Sequence, residues 1–137
     1  MNDKPILIRK SALAVFKNMQ ILLTREKDND EVFYMLGGTI EFGENEIDCL
    51  KREIEEEVAT TIKEGTLKFL AVFEDVAHGR INTRVNIKLY AGELNSEPTP
   101  SQEVAEIRYF DSSTDAKHLT PISIQMFRWL KNRGYIK

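Results

Sequence analysis

One cysteine, Cys49, in 137 residues excludes an intrachain disulfide, so nothing in the sequence calls for an oxidising compartment. Proline and glycine are scarce, at 4 and 7, which excludes collagen-like and low-complexity organisation. Long apolar runs are missing as well. Unbroken stretches such as residues 12–16 are far too short to cross a bilayer, and the polar opening at residues 1–4 lacks the apolar centre of a signal peptide. There is no excess of positive charge: the formal net charge of −3 argues against an extended nucleic-acid surface. These absences predict a soluble cytoplasmic protein with no membrane and no stable nucleic-acid partner. What remains is ordinary globular composition, 42% hydrophobic and 30% charged, at a length that fits one core, so a single domain over residues 1–137 is expected.

The charge is unevenly spread. Between positions 41 and 57 stand eight acids (Glu41, Glu44, Glu46, Asp48, Glu53, Glu55, Glu56, Glu57) against two bases, Lys51 and Arg52. That window carries −6, and the rest of the chain therefore carries +3. A bound cation explains such an element, and so does a solvated acidic helix face.

Residues 6–25 read as two strands of short apolar runs joined at Lys17 and Asn18. Residues 31–35 read as a further short strand running into a loop at Gly37 and Gly38, where the backbone is free to take positive φ or to approach a ligand closely. Leu67, Phe69, Ala71 and Phe73 alternate in one strand, and Val85, Ile87, Leu89 and Ala91 in a second, with a turn at residues 77–80 between them. A last strand at residues 107–110 precedes a helix capped by Thr120, with Pro121 in its first turn. There Ile122, Met126, Trp129 and Leu130 face inward, and Gly134 is the terminator.

The other helix starts at Asn45, with Asp48 three residues on in capping-box register, and runs to about Ala59. Ile47, Leu50, Ile54 and Val58 form its apolar stripe, while Glu53, Glu56 and Glu57 gather on a different side. Like charges at that spacing each cost roughly 0.2–0.5 kcal/mol, and acids in the last turns oppose the helix dipole by about 0.3–1 kcal/mol. A helix shaped only for stability would place those acids in its first turn. The cluster therefore favours a hard divalent cation, which oxygen ligands suit.

Gly38, five residues, Glu44, seven residues, then Arg52, Glu53, Ile54, Glu55, Glu56 and Glu57 resembles the Nudix box, which would occupy residues 38–60. All six of its Gly and charged positions up to Glu57 match. At residue usage of roughly 6% per position, six specified residues coincide on the order of 10⁻⁷ to 10⁻⁸ per start, so chance is no explanation. Two positions depart from the pattern: Ala59 replaces the last Gly, and Thr60 replaces the closing aliphatic residue. Ala59 predicts a helix that ends differently or runs slightly longer. Leu36 stands where many members have Pro.

The resemblance implies an α/β fold, the Nudix-type α/β/α sandwich with a mixed β-sheet between helices. It also implies an enzyme that hydrolyses a nucleoside diphosphate linked to another moiety, using Mg²⁺ or Mn²⁺. Carried over by position, Glu53, Glu56 and Glu57 would hold the metal, with Gly37 or Gly38 offering a backbone carbonyl. Arg52 would orient Glu53, which is otherwise the general base. Many relatives complete the site with a later acid, for which Glu103 and Glu106 are the candidates. Specialised classes carry a Pro or Tyr downstream of the box, and residues 70–77 contain neither. That turns the expectation toward a nucleoside triphosphate or a nucleotide sugar. The opposing reading is a Nudix-fold sensor that binds a nucleotide without cleaving it; such modules commonly lose box acids, and this chain keeps them. A monomer and a homodimer both remain open.

Other chemistry-bearing residues have plainer readings. Cys49 sits at a packing position of the helix, and His78 and His118 have no partner at metal-ligand spacing, which leaves each a surface or capping role. Arg80, Arg84 and Lys88 either reach phosphate from the sheet or are ordinary exposed strand charges.

Overall fold

The computed structural model describes residues 4–137, so the first three residues of the polar opening lie outside the described residues. Seven strands are formed: β1 (Ile6–Ala14), β2 (Phe16–Lys17), β3 (Gln20–Glu26), β4 (Tyr34–Thr39), β5 (Lys68–Val76), β6 (Thr83–Ala91) and β7 (Val104–Phe110). Two helices, α1 (Glu46–Val58) and α2 (Pro121–Asn132), and a 3₁₀ turn at Ala116–His118 complete the element order. The strands lie in the order β2, β3, β4, β1, β6, β5, with β7 paired to β3. β1 runs parallel to β6 and antiparallel to β4, which makes the sheet mixed.

The alternation of β1 explains the layers. Ala12 and Ala14 join Ile87, Leu89, Met126 and Leu130 in the core under α2, while Leu13 and Val15 join Leu36, Leu50, Ile54 and Val58 under α1. Where both faces are covered, at its C-terminal end, β1 reads as a continuous apolar run from Ala12 to Ala14. The result is the helix, sheet, helix sandwich.

β4 is the pivot. Tyr34 and Met35 pair with β3, whereas residues from Leu36 to Thr39 pair with β1. The expected strand at residues 31–35 is therefore displaced toward the C-terminus. Its cause is local: the Asn29 side chain accepts the backbone N–H groups of Glu31 and Val32, at 2.9 and 2.8 Å, and turns the chain before pairing starts. Gly37 and Gly38 are consequently inside β4 and not in a loop.

Two further local features differ from the periodicity. The hairpin turn uses Asn18 together with Met19, both at positive φ. In β5 a bulge between Phe69 and Ala71 breaks the expected single apolar face. Leu67 packs beneath α1, Leu70, Ala71 and Phe73 turn to the α2 side, and Phe69 is left 52% exposed beside Tyr90.

Both helix starts are as expected. Asn45 caps α1 by accepting from the Asp48 N–H at 2.8 Å, an interaction worth about 1 kcal/mol. Thr120 caps α2 by accepting from the Ser123 N–H, and Gly134 follows its end at positive φ. α1 stops at Val58, because Ala59 itself takes the left-handed conformation that the box assigns to Gly, so the helix is neither longer nor differently ended. Thr60 is buried and shares a 2.6 Å hydrogen bond with Ser96, which gives its hydroxyl a partner where an aliphatic side chain would need none. No helix among the described residues is long and apolar enough to cross a membrane.

Candidate active site

A cleft of about 560 Å³ opens where the two parts of the sheet diverge at β4. β1 lines it with Ile8, Lys10 and Ala12, β4 with Met35, Gly37 and Gly38, and α1 with Glu53 and Glu57. The start of α2 and the β5–β6 loop close it from other sides through Ile122 and Arg80.

The two glycines let helix and strand meet. A Cβ on Gly37 would overlap the Ser11 carbonyl oxygen, and its φ of +132° is costly for any other residue. A Cβ on Gly38 would overlap the Glu53 carboxyl group. The Gly37 N–H donates to Glu57 Oε1 at 2.9 Å, and the Cys49 thiol donates to the Gly38 carbonyl at 3.4 Å. Burial pushes the Cys49 thiol up from its ordinary value, so the one cysteine packs and bonds and is no nucleophile.

Arg52 ties this region together. Its Nε and Nη2 form a fork on Glu44, at 2.8 and 3.0 Å, and its Nη1 donates to Glu53 Oε1 at 2.8 Å. A fourth contact, Nη2 to the Thr39 carbonyl at 3.3 Å, links the helix to the end of β4. Neighbouring helix residues point about 100° apart, yet the guanidinium is long enough to curl over and grip Glu53. The hydrogen bond from Arg52 holds the Glu44 carboxyl down at about 2. Glu44 is thus an anchor for Arg52 and not a free acid of the turn.

The cleft carboxylates behave oppositely. Burial pushes Glu57 up to about 8, with the charges of Glu53 and Glu26 adding to the effect against the Gly37 hydrogen bond. Burial also raises Glu53, against the pull of Arg52. Both gain from a cation that would neutralise them, and each keeps an oxygen, Oε2, outside the bonds just described. The donor set of hard oxygens thus fits a divalent metal. Glu56 does not line the cleft; its side chain is 43% exposed and lies 3.7 Å from Arg52. Among the described residues no three His, Cys, Asp or Glu side chains are already gathered as ligands.

Neither expected later acid reaches the cleft. Glu106 is held by Arg25 at 3.2 Å and Arg108 at 2.6 Å on β7, and Glu103 lies just before that strand, with its carbonyl accepting from the Lys27 N–H. The cleft acids that sequence reasoning missed are Glu26 at the end of β3 and Glu41 in the loop after β4. Glu41 at least belonged to the acidic window; nothing local marked Glu26. His78 lines the cleft, whereas the His118 Nδ1–H donates to the Glu31 carbonyl at 2.7 Å and the ring packs on Phe33. Arg84 and Lys88 are ordinary strand charges, paired with Glu74 and Glu46, and Arg80 alone of the three faces the cleft.

A model of the NUDIX domain family matches residues 7–130. The chain belongs to that family. It is accordingly a Nudix hydrolase, an enzyme of phosphoanhydride bonds. Solved structures share the fold at low identity. A MutT protein from Methanosarcina mazei Go1 superposes with a TM-score of 0.76 at 16% identity, covering 97% of this chain and 98% of that one. A Nudix hydrolase family member from Chromobacterium violaceum gives 0.71 at 21% identity over 92% and 77%. A MutT Nudix hydrolase from Burkholderia pseudomallei gives 0.71 at 18% over 88% and 94%. No curated protein sequence matches the chain. The segment that resembles the Nudix box, residues 38–60, runs from the end of β4 through the loop and α1, which build the acidic end of the cleft.

Proposed function

We propose that this Nudix hydrolase is a Mg²⁺-dependent pyrophosphohydrolase of nucleoside diphosphates linked to another moiety, and that Glu53 and Glu57 hold the metal. The observation that carries the reading is the convergence of these two partly buried carboxylates, both raised from their ordinary values, on the glycine pair of β4. Mn²⁺ would serve the same oxygen ligands.

When bound, the divalent cation neutralises charge developing on the phosphate oxygens and lowers the pKa of a coordinated water. The rest falls to the protein. Arg52 fixes Glu53 in one orientation, and the Gly37 N–H fixes Glu57. Since the Gly38 carbonyl is engaged by Cys49, the Gly37 carbonyl is the backbone ligand we favour. Glu56 contributes from the rim, on the open side of Arg52. Glu26 faces the same space and has no ion-pair partner among the described residues, which supports it as the acceptor for the proton of the attacking water.

Incubation with a panel of nucleoside triphosphates and nucleotide sugars, with Mg²⁺ or Mn²⁺ and a phosphate-release readout, tests this directly. Metal-dependent turnover on at least one class is expected. Tight nucleotide binding by calorimetry with no turnover on any of them would replace the hydrolase by a nucleotide sensor.

A further inference from the structure

Most arginines of the cleft region and of the strands around it have found a carboxylate, but two cations of the cleft have not. Among the described residues Arg25, Arg52, Arg84, Lys88 and Arg108 all form ion pairs, whereas Lys10 and Arg80 form none. An unpaired lysine in open water needs no explanation. Lys10 is different, because it rises from a central strand, flanked in register by Thr39 of β4 and Ile87 of β6. Ile8 and Ala12 share its face, and all three line the cleft.

The electrostatics of this wall are unbalanced. Burial pushes the Lys10 amine down from its ordinary value; Glu26, Glu57 and Glu53 oppose that, and Arg80 reinforces it. The two cations are thus close enough to repel each other. Of the carboxylates that offset them, Glu53 and Glu57 are the ones whose charge a divalent metal would consume, which leaves Glu26. With Glu53 and Glu57 so occupied, Glu26 is the one of the three left to offset both Lys10 and Arg80, a single negative charge against two positive ones, and an anion from outside is what restores the balance.

We propose that Lys10 and Arg80 form an anion subsite on the β1 and β5–β6 wall of the cleft, which holds a phosphate beyond the diphosphate at the acidic end. This rests on the hydrolase reading above and narrows it. A nucleoside triphosphate offers such a further ionised phosphate, whereas a nucleotide sugar offers an uncharged ring at that place. The subsite therefore makes triphosphates the preferred substrate class. Lys10 contributes a point charge fixed by its strand, and Arg80 a planar fork on a turn, able to close on the phosphate after it arrives.

Calorimetry with inorganic tripolyphosphate and Mg²⁺, at fixed ionic strength, tests the subsite without requiring turnover. Lys10→Gln and Arg80→Gln should each weaken binding at least tenfold, and Lys10→Arg should restore most of it. Arg84→Gln, which removes a strand cation outside the cleft, should change it less than twofold. In turnover, both Gln variants should lose at least tenfold in kcat/KM on nucleoside triphosphates and less than threefold on nucleotide sugars. Absence of tripolyphosphate binding to the unmodified chain, unchanged binding in the Gln variants, or an equal loss on both substrate classes would overturn the proposal. If no nucleotide is turned over at all, the hydrolase reading fails, and the calorimetric arm still decides the subsite.

Discussion

Replacing Glu57 with Gln should stabilise the metal-free protein, and the gain should depend on pH. Burial carries the Glu57 carboxyl from its ordinary 4.5 to about 8, so folding favours the protonated form. The stability that this confers is complete below about pH 4.5 and is lost as pH rises through about 8. At about 1.36 kcal/mol per pH unit, the ionised group costs the fold at most about 4 kcal/mol at pH 8. Glu57 remains partly open to the cleft, where water follows the charge, and about 2 kcal/mol is the reasonable expectation. Gln keeps an oxygen to accept the Gly37 N–H and has nothing to ionise. Urea unfolding of EDTA-treated protein at pH 5.5 and 8.5 measures the effect: Glu57→Gln should gain on the parent by roughly 2 kcal/mol between the two pH values. Mg²⁺ should recover the parent at pH 8.5 and leave the variant unchanged. Parallel pH dependence of the two proteins would refute the burial argument, and a Mg²⁺ response in the variant equal to the parent's would refute the assignment of Glu57 as a ligand.

Arg52→Lys keeps one charge and loses the fork on Glu44, so turnover should fall about 10–100-fold while the Mg²⁺ activation midpoint moves much less; full activity would leave Arg52 as a plain structural ion pair. Gly38→Ala places a Cβ against the Glu53 carboxyl, and a displacement of that group by about 1 Å should cost on the order of 100-fold in turnover, with a loss of about 1–3 kcal/mol in stability; an active Gly38→Ala enzyme would show that Glu53 can sit elsewhere. Glu26→Gln should lower kcat and leave the midpoint for Mg²⁺ in place, whereas a pure shift in that midpoint would make Glu26 a ligand and not a proton acceptor. Ala59→Gly relieves a left-handed alanine and loosens the unfolded chain, two opposing effects of about 1 kcal/mol each, so urea unfolding should register less than about 1 kcal/mol either way.

The last of these bears on what the sequence could reveal. Where structure is written in neighbouring residues, it was legible: Asn45 with Asp48 marks the start of α1, Thr120 with Pro121 marks α2, and the apolar stripe of Leu50, Ile54 and Val58 is the face that packs. The box residues on α1 belong to the same class of signal. Where position depends on strand pairing, it was not legible. Lys10 and Glu26 reach one cleft because β4 changes partner between Met35 and Leu36, a fact about β3 and β1 that no local window contains. Glu106 stays outside the cleft lining for a reason of the same kind, since one arginine that holds it, Arg25, lies 81 residues away on β3.

The end of α1 shows both kinds of information meeting. By local rules Ala59 is a poor terminator, and a longer or altered helix followed from that. The structure ends the helix in place: Ala59 turns left-handed with its N–H on the Glu55 carbonyl, and the last carbonyls are claimed from afar, the Thr99 N–H donating to the Val58 carbonyl and the Ser101 N–H to the Glu57 carbonyl, each at 3.0 Å. Two long-range backbone bonds thus add to a left-handed alanine in a place where a left-handed glycine usually serves alone. They also hold the backbone of Glu57, so the segment leading into β7 serves the cleft by fixing the position of this proposed ligand. It does so with main-chain donors at 99 and 101, while the side chain of Glu103, two residues on, stays out of the cleft.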